Sequence, residues 1–534
     1  MTNKKQKLEL TWIGKDEELK LEPRILIEDP NKSYGDPSSE NMLIHGDNLL
    51  ALKALEQDFT NRIKCIYIDP PYNTGNALEH YDDGLEHSIW LSLMKPRLEI
   101  LQKLLSKDGI IFISIDDEEQ AYLKTLCDEI FERKNYCGSF IWEKKKKPSF
   151  LSNMGNITEY VLIYAKDRAF SPPFIYGETT KNKKYPINNA GNGVRILNFK
   201  AGSIVFRISD SIIEPKDMSS GNIITRLLDR LEIKNGVNLN DFRLEGEWRY
   251  SQLKLNEIID KKEVISISQD PFRPNHIRTG GEPKKMKNLL SIAHYNMATY
   301  EDSAEETVKL FGNDPFDYPK PEKLLYTIIS SVTSEGDYVL DSFLGSGTTC
   351  AVAHKMELKY IGIELGNHAN THCLPRLKKV VDGKDGLPLS ETLGWKGGGG
   401  FKFYNLAPSL LRKDGFGNFV IDEKYNANML AAAMCKHEGF KYSPDEVSYW
   451  KQGKSTETDY IFVTTGFVTV EQLDAIHAQM TENESLLICA KSFAPESENH
   501  FSNITVKKIP QMILGKCEFG KENYDLNIIK ANEQ

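Results

Sequence analysis

Apolar and polar residues follow two different periods over the first third of the chain. Short apolar runs at residues 62–69, 109–116 and 160–165 have the length and the isoleucine and tyrosine content of β-strands. Apolar residues recur at helical spacing over residues 89–105 and 118–131. Strands that alternate with helices of this length predict an α/β domain.

The alternation breaks off and later resumes. Between about residues 166 and 310 the chain is rich in Asn, Gly and Lys, its apolar runs are short, and no repeating pattern is visible, so we expect an irregular insert. Helix and strand signals return at residues 324–332, 338–341 and 360–365. One α/β domain is therefore predicted in two halves around an insert. The expected divisions are 41–165, 166–310 and 311–396.

Two further regions flank the split domain. Residues 1–40 are polar and rich in turn-forming residues, which predicts an extended N-terminal arm. Four consecutive glycines at 397–400 are typical of a linker. Beyond them, residues 401–534 predict a smaller C-terminal α/β domain. Its predicted strands are residues 460–466, 485–493 and 503–509.

Composition narrows the class of protein. Of the 534 residues, 40% are hydrophobic and 27% are charged, which is typical of a globular protein. The eight cysteines include no CxxC pair, which argues against a disulfide scaffold and fits a reducing compartment. No run of about 18 apolar residues and no apolar N-terminal signal is present. We therefore expect a soluble cytoplasmic protein that has no membrane partner.

The charge is distributed unevenly along the chain, which bears on the kind of partner that it could bind. The formal net charge of −9 argues by itself against a polyanionic partner. Residues 138–300, however, contain 26 Lys and Arg against 17 Asp and Glu, a local balance of +9, and the rest of the chain carries −18. Such asymmetry is typical of a local surface that binds a polyanion, and it is equally compatible with chance clustering on a solvated face.

The first candidate site is the sequence DPPYNTG, directly after the predicted strand at 62–69. Ligands of parallel α/β sheets bind beyond the carboxyl ends of the strands, so chemistry is expected here. Asp69 offers an acceptor, the prolines hold the Pro70 carbonyl as a rigid second acceptor, and Tyr72 adds a flat aromatic face. This combination predicts a pocket for a planar group with an NH₂, such as the edge of adenine or cytosine; the alternative is a Pro-Pro turn capped by the aspartate. The candidate catalytic residues are Asp69, Pro70, Pro71 and Tyr72.

The second candidate site is the glycine-rich sequence DSFLGSGTT at residues 341–349, between a predicted strand and a helical segment. Strand, glycine turn and helix in this order let the backbone approach a nucleotide-like cofactor closely. The lysine of a P-loop is missing, so a nucleoside triphosphate is a poor candidate. Glu364 ends the next predicted strand and is placed to bond ribose hydroxyls. The alternative is a plain turn whose glycines have positive φ.

Together the two motifs resemble those of the S-adenosylmethionine-dependent amino methyltransferases of DNA. Their order, with DPPY ahead of the glycine loop, is similar to the permuted β class, in which a target-recognition domain separates the halves. The resemblance implies a permuted Rossmann-like core, S-adenosyl-L-methionine as the cofactor and double-stranded DNA as the partner. The residues that match the family's cofactor-binding positions are Asp47, Lys323, Asp341, Phe343, Gly345, Gly347, Thr348 and Glu364.

The resemblance also implies how the target base is held. An amino group inside a duplex is out of reach, so the base must flip out of the stack and rest against Tyr72. Trp142 is a candidate second aromatic wall, or else an ordinary core residue. Asp69 and the Pro70 carbonyl would accept the amino N–H groups, and no metal is required. Basic residues in or beside the insert are interpreted as DNA backbone contacts, namely Lys144, Lys145, Lys146, Lys147, Lys284 and Lys285.

Several alternatives are weighed against this interpretation. The leading aspartate of DPPY resembles the adenine-N6 enzymes more than the cytosine-N4 enzymes, so N6-adenine is preferred and N4-cytosine stays open. The intact motifs argue against a catalytically silent DNA-binding scaffold, and the basic insert argues against an RNA or small-molecule substrate. Zinc at His368 and His372 is not supported because the metalloprotease glutamate is missing. The acidic run at 116–119 is explained by helix capping rather than by a metal-dependent nuclease.

The C-terminal region resembles the tail of the modification (Mod) subunits of type III restriction–modification systems, over residues 409–426, 460–476 and 485–493. This resemblance implies a Mod homodimer and a separate restriction (Res) subunit that supplies ATPase and nuclease activities. The chain has no P-loop lysine motif and no nuclease triad, which agrees with a need for such a partner. The alternative is a solitary methyltransferase whose tail only buries the flank of the core.

Overall fold

The structure is a computed structural model, and the residues that it describes are 9–73, 87–147 and 154–524. They form two compact units, of which the second is Ile175–Met286 and the first is the remainder. The second unit is shorter along the chain than the insert expected at 166–310, because residues up to Phe174 and from Lys287 onward belong to the first unit.

The helices and strands are as follows. Before the second unit they are β1 (Leu26–Glu28), β2 (Tyr34–Gly35), β3 (Met42–His45), α1 (Asn48–Phe59), β4 (Ile63–Ile68), α2 (His87–Leu104), β5 (Leu105–Ile115), α3 (Gln120–Ile130), β6 (Tyr136–Glu143) and β7 (Thr158–Ala165). The second unit contains β8 (Ile175–Glu178), β9 (Lys184–Pro186), β10 (Val194–Phe199), β11 (Ile204–Phe206), β12 (Ser211–Ile213), β13 (Lys216–Asp217), β14 (Thr225–Leu227), β15 (Leu231–Lys234), β16 (Val237–Asn238), β17 (Phe242–Glu247), α4 (Gln252–Asp260), β18 (Val264–Ile267), β19 (Asn275–Ile277) and β20 (Pro283–Lys285).

The first unit continues after the second with β21 (Leu289–Leu290), α5 (Ile292–Tyr295), α6 (Tyr300–Phe311), α7 (Glu322–Ile329), β22 (Tyr338–Asp341), α8 (Thr348–Lys355), β23 (Lys359–Glu364), α9 (Leu374–Val381), α10 (Pro388–Leu393), β24 (Gly400–Leu406), β25 (Leu411–Lys413), β26 (Phe419–Ile421), α11 (Ala427–Glu438), β27 (Lys441–Tyr442), β28 (Gly453–Lys454), β29 (Asp459–Val468), α12 (Val470–His477), β30 (Ser485–Phe493) and β31 (Ile504–Lys508). Within the described part of the chain, every helix is too short or too polar to cross a membrane.

One large mixed sheet forms the centre of the first unit. Its strand order is β1-β24-β3-β23-β22-β4-β5-β7-β6-β21, and β2 also pairs with β24. The strands from β24 to β5 in this order are parallel, whereas β7 is antiparallel to both β5 and β6. Neighbouring strands β4 and β22 pair at Cys65 with Val339 and at Ile66 with Leu340. Their carboxyl ends, where the two candidate motifs begin, therefore lie side by side.

The parallel strands at the centre are apolar along nearly their whole length because they are buried. All residues of β22 are buried, and in β4 and β23 only the lysines Lys64 and Lys359 are partly exposed. Apolar side chains of α1, α2 and α3 belong to the same core cluster, including the fully buried Trp90, Leu98 and Leu123. Continuous apolar runs of this kind are typical of parallel strands that are covered on both faces.

The elements predicted for the core are confirmed. The apolar runs at 62–69, 109–116 and 160–165 are β4, β5 and β7, and the two helical segments are α2 and α3. In the later part of the chain, α7, β22 and β23 stand where helix and strand were expected to resume, and the three C-terminal strands are β29, β30 and β31.

The segment expected to be irregular is instead rich in short strands. The second unit contains a seven-stranded sheet in the order β12-β15-β16-β11-β18-β19-β9, a four-stranded sheet in the order β10-β17-β14-β13, and the pair β8 and β20. Buried side chains such as Phe199, Phe242 and Trp248 form its core. The prediction of an irregular insert is wrong, because strands of two to six residues leave no apolar run long enough to be recognised.

The four glycines expected to be a linker lead directly into the central sheet. Gly400 is the first residue of β24, which lies between β1 and β3. It pairs with Gly35 of β2, and a Cβ added to Gly400 would lie 2.3 Å from the backbone nitrogen of Asp36. Glycine is needed here for close backbone approach rather than for flexibility. The N-terminal arm and the start of the C-terminal region are thus strands of one sheet.

The rest of the C-terminal region belongs to the same compact unit. It contains a sheet in the order β27-β28-β29-β30-β31, of which the last three strands are parallel. Contacts with α1 tie α11 to the core: Lys436 Nζ donates to the Ala54 carbonyl at 2.6 Å, and Gln57 Nε2 donates to the Phe440 carbonyl at 3.0 Å. Residues 401–534 are therefore not a separate compact unit in the part of the chain that the structure describes.

Candidate active site

The two candidate motifs line one cavity of about 440 Å³ at the carboxyl ends of β4 and β22. Residues 69–72 and the glycine-rich residues 341–349 supply two parts of the lining, and residues 314–320 supply a third. Both motifs begin where a parallel strand ends, which is the position at which open α/β sheets bind ligands.

Asp69 takes part in a hydrogen-bond network inside this cavity. Its Oδ1 accepts from the Tyr72 hydroxyl at 2.8 Å, and its Oδ2 accepts from Lys320 Nζ at 2.7 Å. The Tyr72 hydroxyl also lies 3.2 Å from Glu159 Oε2. The aromatic ring and the carboxylate of the DPPY motif are therefore held to each other as well as to the cavity wall.

The Pro-Pro turn is anchored to α2. The fully buried indole of Trp90 donates its N–H to the Pro71 carbonyl at 2.8 Å. Pro70 and Pro71 both line the cavity, and neither has a backbone N–H. The turn is thus held against α2 and presents no backbone donor at Pro70 or Pro71, which is compatible with a planar group that has N–H donors.

Glu159 is a second carboxylate of the same network, and it is 3% exposed. Both of its oxygens lie 3.0 Å from the Tyr300 hydroxyl, and Lys144 Nζ is 3.1 Å from Oε1. Lys320 Nζ donates to the Tyr300 hydroxyl at 2.9 Å and lies 3.8 Å from Glu159 Oε2. Two ammonium groups thus offset the charges of Asp69 and Glu159, which is what burial of carboxylates requires.

Burial controls protonation around the cavity. It raises the pKa of Asp116 to about 6 and the pKa of Asp341 to about 7. It also raises the pKa of the Tyr72 hydroxyl well above its ordinary value, and nearby carboxylate charges add to the effect. The pKa of Tyr300 is raised in the same way. Both tyrosines therefore stay protonated at neutral pH and act as hydrogen-bond donors.

The glycine-rich loop turns the chain from β22 into α8. Gly345 and Gly347 have φ angles of 55° and 82°, in the left-handed region that favours glycine. A Cβ added to Gly347 would lie 3.2 Å from Cys373 Cα. A side chain at this position would be strained in its backbone and crowded by the chain just before α9, so the loop has one preferred shape.

Two acidic residues hold this loop from inside the protein. Asp341 accepts from the Phe343 N–H at 2.9 Å and from the Thr349 hydroxyl at 2.5 Å. Glu364 accepts from the Gly345 N–H at 2.8 Å and is 1% exposed. The acid predicted to bind ribose therefore bonds the loop backbone in this structure.

A buried ion cluster ties α7 to the helices behind the loop. Glu322 accepts from Lys355 Nζ at 2.7 Å and from Arg376 at 3.0 Å, and all three side chains are at most 1% exposed. Arg376 in turn donates to the Thr348 hydroxyl at 2.7 Å. Since buried charges need partners, this cluster fixes the position of α7 relative to the glycine-rich loop.

The structure brings many of the predicted site residues to the cavity and leaves others outside it. Those that line it are Asp69, Pro70, Pro71, Tyr72, Lys144, Lys145, Asp341, Phe343, Gly345 and Thr348. Those of the first unit that do not are Asp47, Trp142, Lys146, Lys147, Lys323, Gly347 and Glu364.

Asp47 has a structural role that differs from the predicted cofactor contact. It caps α1 by accepting from the Leu50 N–H at 2.8 Å. Its second oxygen accepts from the Tyr524 N–H at 2.9 Å and lies 3.8 Å from the Arg97 guanidinium. Asp47 is 1% exposed, and both of its carboxylate oxygens are engaged within the protein.

Trp142 packs behind the cavity instead of lining it. Its indole is fully buried, and its N–H donates to the Ala298 carbonyl at 2.9 Å. Its ring makes an edge contact with Tyr300, with 4.9 Å between centroids. Tyr300 lines the cavity, and Trp142 supports its ring from behind.

Three members of the network are missing from the sequence prediction. Glu159 lies inside β7, Tyr300 begins α6, and Lys320 stands just before α7, so only the folded chain brings them together. The sequence prediction came close to Lys320, because it selected Lys323, three positions further along the chain, as a cofactor-binding residue. Lys323 does not line the cavity, whereas Lys320 does.

The lysines predicted to contact DNA differ in their surroundings. Lys144 is bonded to the buried carboxylate of the cavity network, and Lys146 pairs with a carboxylate of α6 at 2.6 Å. Lys147 is exposed, as are Lys284 and Lys285 on β20 of the second unit. Lys144 thus neutralises a charge inside the cavity, a role that differs from the predicted phosphate contact.

The motifs considered for metal binding have other partners. His372 Nε2 lies 3.1 Å from the Asp314 carbonyl. Glu119 precedes α3, but its side chain makes no capping bond to the helix. The carboxylate instead bonds Asn73 at 2.6 Å and His87 at 2.7 Å, so helix capping does not explain why an acidic residue stands there. Over residues 9–73, 87–147 and 154–524, no three His, Cys, Asp or Glu side chains are grouped to hold a metal ion.

Comparison with known proteins gives a consistent match. A family model described as DNA methylase matches residues 63–372. The probable type III restriction-modification enzyme HindVI Mod subunit of Haemophilus influenzae is 34% identical over 424 residues, which cover 70% of this chain and 55% of that protein. The type III EcoPI Mod subunit of Escherichia phage P1 is 28% identical over 414 residues, covering 66% of this chain and 62% of that protein.

Two further similarities are more distant. The type II methyltransferase M.KpnI of Klebsiella pneumoniae is 28% identical over 341 residues, covering 60% of this chain and 78% of that protein. The solved structure of the PvuII DNA methyltransferase (cytosine-N4-specific) aligns with 63% of this chain and 86% of its own at a TM-score of 0.34 and 14% identity. The chain spans little more than half the length of the Mod subunits that it matches.

Proposed function

Since the chain belongs to the DNA methylase family, we propose that it transfers a methyl group from S-adenosylmethionine to the N6 amino group of adenine in double-stranded DNA. The observation that supports this most directly is the cavity in which the DPPY residues and the glycine-rich loop meet. The order of these motifs along the chain supports a permuted methyltransferase core. We assign the role of target-recognition domain to the second unit, Ile175–Met286.

The residues around the glycine-rich loop fit S-adenosylmethionine. The cavity volume of about 440 Å³ lies within the range of roughly 300–1,000 Å³ for small-molecule sites. Gly345 lines the cavity with a φ of 55° and no side chain, so a cofactor can approach the loop backbone closely there. We assign cofactor binding to Phe343, Gly345 and Thr348, which line the cavity, with Asp341 beneath them. When bound, the cofactor supplies an electrophilic methyl group on a sulfonium.

The DPPY residues would bind and orient the target base. Flipping a base out of a duplex costs a few kcal/mol, and stacking on Tyr72 offsets about 1–3 kcal/mol of this. Asp69 and the Pro70 carbonyl would accept the N–H groups of the amino nitrogen. Positive charge develops on that nitrogen as it gains a substituent, and the fixed carboxylates of Asp69 and Glu159 stabilise such charge.

The chemistry of DPPY supports adenine as the target, and one experiment tests both the reaction and the base. The full chain is incubated with plasmid DNA and isotopically labelled S-adenosylmethionine, and the DNA is digested to nucleosides for mass spectrometry. N6-methyladenine is expected, and the Asp69→Asn variant should form it at least about a hundredfold more slowly. Detection of N4-methylcytosine would show that the target base is cytosine and not adenine. If a folded protein that binds the cofactor leaves the DNA unlabelled, the proposal is overturned.

The similarity to Mod subunits over 64–70% of the chain supports a further assignment. We propose that this chain recognises and modifies the site in a type III restriction–modification system. A homodimer would let one protomer read the DNA while the other methylates it, and a separate Res subunit would supply ATPase and nuclease activities. We assign dimerisation or Res docking to the C-terminal region.

The dimer is tested on the intact chain, because deletion of residues 401–534 would remove most of β24 from the central sheet. Light scattering at micromolar concentration should give twice the chain mass of 60.7 kDa. A monomer that methylates DNA at full rate would contradict the dimer and leave the methyltransferase assignment unaffected.

A further inference from the structure

We propose that Lys320 occupies the place of the target amino group until a flipped base displaces it; this rests on the proposed function. The side chain of Lys320 is only 5% exposed. Its ammonium donates to Asp69 Oδ2 at 2.7 Å, the carboxylate to which the amino group of a base is expected to donate. It also donates to the Tyr300 hydroxyl at 2.9 Å. A base cannot reach Asp69 in its intended position while these bonds persist.

Three aromatic rings, two in the cavity wall and one behind it, lie close to the same ammonium. Lys320 Nζ lies over the rings of Tyr72, Tyr300 and Trp142, at 5.0, 5.3 and 5.9 Å from their centroids. All three distances are within the roughly 6 Å of a cation–π contact. A base stacked on the same face of Tyr72, about 3.5–4.0 Å from the ring, would meet the ammonium, which lies 5.0 Å from the ring centroid. The base and Lys320 therefore compete for one volume.

The two competitors offer the same hydrogen-bonding groups. An ammonium has N–H donors and no acceptor, and the exocyclic amino group of adenine or cytosine likewise presents N–H donors. Such a group can replace Lys320 at Asp69 without leaving the carboxylate unpaired. A base without an N–H donor at that edge cannot replace Lys320, because Asp69 would lose the hydrogen bond from the ammonium and gain none from the base. Lys320 would thus act as a specificity device that admits only amino-bearing bases.

The position of Lys320 in the chain allows it to move. It ends the cavity segment 314–320, and the buried Glu322 cluster fixes the chain only from α7 onward. In the same segment Tyr318 is 67% exposed and has a φ of 48°, which is unfavourable for a tyrosine. The four-carbon stem of lysine is flexible, so the ammonium can leave the cavity without movement of the helix.

The test uses 2-aminopurine in place of the target adenine, because this fluorescent base lacks the amino group at position 6. A DNA duplex carries this base at the position that the chain methylates. The duplex is bound at saturation to the full chain in the absence of S-adenosylmethionine. Wild type should give low fluorescence, since the probe cannot replace Lys320 at Asp69. Lys320→Met should raise the extrahelical fraction about tenfold, the size of one charge-assisted hydrogen bond.

The matched control is Lys124→Met, because the ammonium of Lys124 also pairs with a carboxylate, that of Asp128 at 2.8 Å, and lies over an aromatic ring, that of Tyr136, outside the cavity. Its fluorescence is expected to stay near that of wild type. If Lys320→Met does not fold by circular dichroism, Lys320→Gln replaces it, with a smaller rise expected. No rise in the Lys320 variant, or an equal rise in the Lys124 variant, overturns the inference. Methylation of unmodified DNA by wild type is measured in parallel, so that failure of the proposed function is recognised separately.

Discussion

Replacing Tyr72 with phenylalanine is expected to slow methylation about tenfold, although it keeps the aromatic ring. From the sequence alone the ring is the part that matters, and the change would be mild. In the structure the hydroxyl donates to Asp69 Oδ1 at 2.8 Å and lies 3.2 Å from Glu159 Oε2. A hydrogen bond to a charged group contributes about 1.5–3 kcal/mol. Loss of about 1.4 kcal/mol of transition-state stabilisation lowers a rate tenfold.

The assay compares initial rates at saturating DNA and cofactor with the free energy of unfolding in urea. Tyr164→Phe is the matched control, because its hydroxyl also donates to a carboxylate, that of Asp128 at 2.8 Å, outside the cavity. Both variants should lose about 1.5–3 kcal/mol of stability, and only Tyr72→Phe should slow methylation. An unchanged rate for Tyr72→Phe, or equal slowing in both variants, would refute the reasoning that the hydroxyl orients Asp69.

Four further changes test other parts of the site. Asp69→Asn keeps the shape and removes the charge, so methylation should fall at least about a hundredfold; calorimetry should show unchanged cofactor affinity, and a loss of affinity would speak against the assignment. Gly347→Val places a side chain at a φ of 82° and 3.2 Å from the Cys373 backbone, so cofactor binding should weaken in the same calorimetric measurement. The pKa of Asp341 is about 7, above the value near 3.9 of an unfolded aspartate. Ionisation of this group therefore lowers the free energy of unfolding progressively as pH rises from about 4 to about 7. Asp341→Asn should make the free energy of unfolding, measured in urea, depend less on pH over this range. Glu322→Gln removes the carboxylate that lies 3.0 Å from the buried Arg376 guanidinium, whereas Lys355 keeps Asp385 as a partner. It should cost about 3 kcal/mol of unfolding free energy, a loss that urea denaturation would detect.

The sequence predicts those parts of the site that are local. DPPY and the glycine-rich loop are each contiguous, and each follows a strand whose apolar run is long enough to recognise. Their proximity follows from the parallel pairing of β4 with β22. The carboxylate of Glu159 and the ammonium of Lys320 could not be found in this way, because residues about 160 positions apart meet only through strand order and helix packing.

The two failed fold predictions have related causes. Short strands in Ile175–Met286 are stabilised by partners that lie far away in the sequence, as when β11 pairs with β18, so their local pattern is weak. Gly400 is indistinguishable from a linker residue by composition. Only its contact with Asp36, whose backbone nitrogen lies 2.3 Å from where a Cβ of residue 400 would stand, explains why glycine is needed.

The location of β24 has a consequence for the order in which the chain folds during synthesis. Strands β1 and β2 pair only with β24 among the described residues, and β24 begins at Gly400. At synthesis rates of about 5–20 residues per second, the ribosome needs roughly 20–70 s to make the intervening chain. Until then β3 lacks its neighbour β24, and until residue 364 it also lacks β23 on its other side. Open strand edges are prone to pair with other chains, so the nascent chain needs protection at β3 until β24 has been made.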